Sequence, residues 1–79
     1  MINAYILLSI RPGKTNKAIQ EMRKIENVEK ISIVAGDYDV VVRVHVKTLE
    51  KLLVVTDKIQ MIDGVKKTTT QVIEKEIAL

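Results

Sequence analysis

The chain has no cysteine, no phenylalanine and no tryptophan, and only one histidine among its 79 residues. Without cysteine, disulfides and thiolate metal sites are excluded, and a cytoplasmic location is the expectation. A lone histidine cannot hold a metal without two further ligands. His45 has Asp39 on the same side of its strand, but six positions away, roughly 20 Å in an extended chain. No nucleophile-elbow pattern surrounds Ser9 or Ser32. No catalytic residue, metal or cofactor is therefore expected, and the chain does not read as an enzyme. Aromatics are confined to Tyr5 and Tyr38, whereas an RNA-binding sheet stacks bases on aromatics of its central strands. No apolar stretch approaches the ~20 residues that span a bilayer. The apolar N-terminus also lacks the cationic start and cleavage site of a signal peptide, so no membrane partner is expected.

What is present is an ordinary globular mixture, 47% hydrophobic and 29% charged with a net charge of +3. The sequence pI near 9.3 hints at acidic partners. However, Lys14, Lys17, Arg23, Lys24, Lys47, Lys51, Lys66 and Lys67 are spread among acids, as on a solvated surface. The length fits a single domain over residues 1–79, with no room for a separate helix-turn-helix domain. A core this small rarely supplies more than ~3–5 kcal/mol. With no disulfide available, oligomerisation is the remaining way to stabilise it.

Apolar patterning predicts six elements. Ala4 to Ile10 reads as a strand, broken by Arg11-Pro12-Gly13. Thr15 or Asn16 can cap a helix running to about Ile25, with Ala18, Ile19, Met22 and Ile25 on one face. Val28 to Val34 and Asp39 to Val46 read as strands joined by a short turn, hence an antiparallel hairpin. Thr48 can cap a second helix with a stripe of Leu49, Leu52, Leu53, Thr56 and Ile59. Val54 and Val55 would also suit a strand. Ile62-Asp63-Gly64 stops the helix, and a last strand runs from Val65 to about Ile77. The order βαββαβ predicts an α+β, ferredoxin-like fold: a four-stranded antiparallel sheet with two helices on one face.

Alternation puts Ala4, Ile6, Leu8 and Ile10 on one sheet face with Val40, Val42, Val44 and Val46. Tyr5, Leu7, Val41 and Arg43 then lie on the face that no helix covers. A mixed apolar and polar face of that kind suits a partner surface, so these four residues are expected at a dimer interface.

Two polar segments stand out. Gly36-Asp37-Tyr38-Asp39 is a tight turn leading into Val40-Val41-Val42-Arg43-Val44-His45-Val46. Its carboxylates admit three readings: an acid/base pair, caps for nearby backbone N–H groups, or a recognition site. In the third, a carboxylate accepts from a ligand ammonium while turn N–H groups hold a ligand carboxylate; those two needs describe an α-amino acid. Thr68-Thr69-Thr70 opens the last strand. Threonine suits a half-buried strand, and its hydroxyls can also bind a small polar ligand. Gly13-Lys14-Thr15 lacks the upstream glycine of a phosphate loop, with Leu8 in its place, and reads as a plain turn.

Gly36-Asp37-Tyr38-Asp39 before the valine-rich strand, Ile62-Asp63-Gly64-Val65 and Thr68-Thr69-Thr70-Gln71-Val72-Ile73 resemble the ligand-binding (RAM) domain of the Lrp/AsnC feast/famine regulators. The similarity spans nearly the whole chain, without the helix-turn-helix domain of full regulators. It implies a stand-alone RAM protein of archaeal or bacterial type, with dimers through the sheets and rings of dimers. It further implies an amino-acid effector bound between dimers at Gly36, Asp37, Tyr38 and Asp39 with Thr68, Thr69 and Thr70. Transcription would be modulated indirectly, through co-assembly with full-length regulators and without direct DNA binding. Three rivals share the strand order or the assembly: an ACT-like amino-acid domain, a small dimeric monooxygenase or isomerase, and an assembly subunit that binds no effector.

Overall fold

The computed structural model describes all 79 residues, Met1–Leu79. Its elements are β1 (Ile2–Ile10), α1 (Thr15–Met22), β2 (Val28–Ile33), β3 (Val40–Val46), α2 (Leu49–Gln60) and β4 (Val65–Val72). The strands form one sheet in the order β2-β3-β1-β4, with every neighbouring pair antiparallel. This is the ferredoxin-like α+β arrangement. The molecule is a slab of 35 × 28 × 17 Å, one sheet and one helix layer deep. No helix is long and apolar enough to cross a membrane.

The core follows from the period of two in the central strands. Ala4, Ile6, Leu8 and Ile10 of β1 and Val40, Val42, Val44 and Val46 of β3 are buried under the helices. Ala18 and Met22 of α1 and Leu52, Val55 and Ile59 of α2 close over them. Fully burying one such aliphatic side chain is worth ~1.5–3 kcal/mol. Val54 and Val55 are helical, because the stripe of Leu52, Val55, Thr56 and Ile59 buries one helix face. That burial overrides the strand preference of valine. Thr48 caps α2, its hydroxyl accepting from the Lys51 amide at 3.1 Å.

Several boundaries differ from the sequence pattern. β1 starts two residues early, at Ile2, paired with Val46. The cap of α1 is Lys14, without a side-chain bond, and Thr15 is already helical. The loop is fixed instead by backbone contacts. Arg11 N–H donates to the Gly64 carbonyl at 2.8 Å. A Cβ on Gly64 would come within 2.5 Å of Lys14 Cβ, so only glycine lets these two turns meet. α1 ends at Met22, and Ile25 only packs at the rim of the core. Asp39 precedes β3 rather than starting it. The largest difference is at β4, which stops at Val72 and not near Ile77. Beyond it, Glu76 bonds Arg43 on β3, so the chain turns across the sheet instead of continuing along its edge.

Candidate functional site

The turn between β2 and β3 is stapled to the end of β1. Asp39 N–H donates to the Leu8 carbonyl at 2.8 Å. An Asp39 carboxylate oxygen accepts from Ile10 N–H at 2.7 Å. Of the readings open for this carboxylate, capping a backbone donor is the one the geometry displays. Asp37, one residue before Tyr38, is exposed, as is Gly36. Gly36 holds φ at +154°, with nothing within 4 Å of a built Cβ, a conformation that L side chains rarely adopt. The turn thus presents one committed carboxylate, one solvent-facing carboxylate and accessible backbone at its tip.

Tyr38 links this turn to the last strand. Its hydroxyl lies 3.1 Å from Thr69 Oγ1. Thr69 is opposite Leu7, so this contact is on the helix-free face. The other two threonines point the other way, as alternation requires. Thr68 is opposite Leu8 and Thr70 opposite Ile6, and Thr68 Oγ1 accepts from Gln60 of α2 at 3.0 Å. Of the seven expected effector residues, Gly36, Asp37, Tyr38, Asp39 and Thr69 therefore form one neighbourhood. Thr68 and Thr70 face away from it. None of the protomer's cavities is lined by residues 36–39 or by Thr69.

The helix-free face holds the other group of singled-out residues. Tyr5 is exposed, while Leu7, Val41 and Arg43 are half-buried. Register sets Tyr5 opposite Arg43 and Leu7 opposite Val41. Arg43 donates to the Tyr5 hydroxyl at 3.0 Å and to Glu76 at 3.1 Å. It also lies 3.4 Å from Glu29. The Glu76 hydrogen bond is the main reason the guanidinium holds its proton even more tightly than usual, with Tyr5 adding to it. Glu29, Lys30 and Glu76 escaped the sequence reading. Glu29 and Lys30 sit at an irregularity of β2 register, and Glu76 lay in what read as strand. The facing of Tyr5 and Arg43 was the available signal. His45 lines no cavity, and its Nδ1 lies 2.6 Å from Asn3 Oδ1 on the paired strand.

Comparison with known proteins gives a consistent family. Residues 3–78 match the model of the Lrp/AsnC ligand binding domain. An HTH-type transcriptional regulator of Pyrococcus horikoshii, PH0140, is 33% identical over 73 residues, 91% of this chain and 46% of the relative. The chain thus spans about half the length of the curated relatives of this kind. The Thermus thermophilus protein TTHA0845 superposes with a TM-score of 0.90 at 29% identity, covering 100% of both chains. The feast or famine regulatory protein Rv3291c of M. tuberculosis, solved with L-methionine, gives 0.85 at 22% identity. It covers 100% of this chain and 54% of that one, and at that identity the likeness is one of fold.

Proposed function

Because the chain belongs to the Lrp/AsnC ligand-binding domain family, we propose that it is a regulatory module that binds an α-amino acid and assembles through its helix-free sheet face. The observation that carries this reading is the Tyr38–Thr69 contact, which joins the polar turn to the last strand on that face. Asp37 supplies a carboxylate for the effector ammonium. Backbone N–H groups near Gly36 supply donors for the effector carboxylate, and the Tyr38 and Thr69 hydroxyls complete the polar shell. Asp39 holds the turn in place through Ile10. A neighbouring copy closes the site and contacts the effector side chain, consistent with a turn that lines no cavity of its own protomer. The L-methionine in the structure of the M. tuberculosis protein supports an amino acid as the ligand class.

Effector binding shifts assembly only by its differential affinity for the assembled states. The regulated process is transcription, reached through co-assembly with helix-turn-helix regulators of the same family, which make the DNA contacts. Titration calorimetry of the assembled protein against the twenty amino acids tests the ligand claim. Heat with at least one of them, lost in Asp37→Ala, is the expected result. Silence with all twenty would sink the claim and leave an assembly subunit without effector.

A further inference from the structure

β1 loses its regular ladders before it ends. Its pairing with β3 stops at Leu8, opposite Val40. Its pairing with β4 shifts register between Ser9 and Ile10, which leaves Lys66 with no residue opposite. A bulge of this kind interrupts the ladder and bends the strand. Two consecutive amides at this point are taken up by turns. Ile10 N–H donates to the Asp39 carboxylate at 2.7 Å, and Arg11 N–H donates to the Gly64 carbonyl at 2.8 Å. Asp39 belongs to the turn before β3 and Gly64 to the turn before β4. One dipeptide therefore ties two turns that are otherwise separate in the chain.

Both ends of the tie are tightly held. At the first, Asp39 commits three groups at once. Its carboxylate holds Ile10, its N–H donates to the Leu8 carbonyl at 2.8 Å, and its own carbonyl accepts from Val34 N–H at 3.0 Å. At the second, Lys14 N–H donates to the Arg11 carbonyl at 3.1 Å. The Arg11 and Lys14 side chains both reach Asp63, at 2.9 and 3.2 Å. Gly64, at φ +97°, lies so close to Lys14 that an added Cβ would come within 2.5 Å of Lys14 Cβ. Between the two ends the Ile10 side chain is fixed in the core, 6% exposed. Close-packed groups of this kind transmit a displacement and do not absorb it. The connection is a continuous run of bonds from the turn at Asp39 to the start of α1, which is the kind of physical link that coupling between sites needs.

We propose that Ile10-Arg11 couples the turn Gly36–Asp39 to the junction of Lys14, Asp63 and Gly64 on the helix side of the molecule. An effector held by Asp37 and the turn amides restrains Asp39, and through Ile10 and Arg11 it restrains the start of α1. Coupling of this sort is reciprocal, so loosening the junction loosens the turn. The effector part rests on the amino-acid reading of the turn, and the test separates the two. Amide hydrogen exchange, which reports local opening, is followed by NMR on the full chain, Asp39→Ala and Gly64→Ala, with circular dichroism to confirm folding. In Asp39→Ala, protection is expected to fall about tenfold or more at the Arg11 and Lys14 amides, beyond the bond that was removed. In Gly64→Ala it falls as much at the Ile10 and Asp39 amides. The His45 and Ile73 amides, bonded to Asn27 and Asn3 at the other end of the sheet, stay within about threefold of the parent in both. If Asp39→Ala exposes Ile10 alone, or if His45 and Ile73 lose protection equally, the coupling is overturned. Asp39→Ala decides this by itself should Gly64→Ala fail to fold. The parent is then measured with each of the twenty amino acids. One that gives calorimetric heat should raise protection at Arg11 and Lys14, and heat without that rise overturns the transmission from effector to α1. If none gives heat, the amino-acid reading fails, and the two variants still decide whether the tie couples the turns.

Discussion

Val40, Val42, Val44 and Val46 lie against the helices with at most 1% exposure, while their neighbours Val41, Arg43 and His45 face the other way, half-buried. The same strand therefore builds two faces by different means. The helix side of β3 is satisfied by apolar packing. The open side is satisfied by polar pairs that bridge adjacent strands or a strand and a loop: Tyr5 with Arg43, Asn3 with His45, Tyr38 with Thr69. Packing of the first kind supplies free energy. Pairing of the second kind yields little net energy in water, ~0.5–1.5 kcal/mol for each hydrogen bond, but it fixes side-chain positions. On this contrast, the covered face sets stability, and in the proposed function the open face sets what the molecule meets.

The sharpest way to break the contrast is a pair of adjacent truncations. Ile6 is fully buried and Leu7, next to it, is on the open face. Ile6→Ala is expected to lose about 2–5 kcal/mol. Leu7→Ala is expected to lose about 1 kcal/mol or less in the dissociated chain, with its main effect on association. Urea midpoints measured at one low protein concentration check this, and equal losses would end the distinction between the faces.

The polar turn contains a smaller version of the same contrast. Asp39 accepts from Ile10 N–H at 2.7 Å and is half-buried; Asp37 is exposed. Asp39→Ala leaves a backbone donor without its charged acceptor, a loss of about 1–3 kcal/mol. Asp37→Ala is expected to stay within ~0.5 kcal/mol of the parent and to show its effect in effector binding. Thermal unfolding of both, with and without the amino acid that gives heat in calorimetry, separates a structural carboxylate from a recognition carboxylate.

The sequence displayed the two faces because alternation alone assigns them: Ala4, Ile6 and Leu8 against Tyr5, Leu7 and Ser9. It also carried the turn, since Gly36 and the aspartates beside it are residues that a hairpin needs. It did not show which aspartate is committed, because the Asp39–Ile10 bond joins positions 29 apart in the chain. Nor did it separate Thr69 from Thr68 and Thr70 as a partner for the turn, although alternation had already set Thr69 on the opposite face. The end of β4 was hidden for another reason. Residues 73–77, Ile-Glu-Lys-Glu-Ile, alternate as a strand would, and the bond of Glu76 to Arg43 joins positions 33 apart in the chain, which alternation does not display.

Tyr38→Phe gives a smaller effect that tests whether the open-face pairs position more than they stabilise. Losing the hydroxyl that meets Thr69 is expected to cost about 0.5–1.5 kcal/mol. Effector affinity should fall by more than that stability change implies, because the link between turn and β4 is lost. An affinity equal to the parent, measured by calorimetry under the same conditions, would remove the pair from the site.

The smallest effect belongs to neither face. Asp63 bridges Arg11 at 2.9 Å and Lys14 at 3.2 Å across two exposed turns. The hydrogen bond from Lys14 is the largest of the causes that hold its carboxyl below the ordinary carboxylate range, followed by the charges of Lys14, Arg11 and Lys17. A carboxyl with a depressed folded-state pKa contributes stability above its unfolded pKa of about 3.9. That contribution is lost as pH falls through the lower folded value. Asp63→Asn should therefore be slightly less stable than the parent at neutral pH, and the gap should close in acid. Concentrated salt should close it too, since exposed charges are screened within ~3 Å at 1 M ionic strength. Denaturation midpoints of the two chains at pH 7 and about pH 2.5, each with and without salt, measure the gap. A gap that survived both acid and salt would mean that the side-chain shape at this junction, close to the Gly64–Lys14 contact, matters more than its charge.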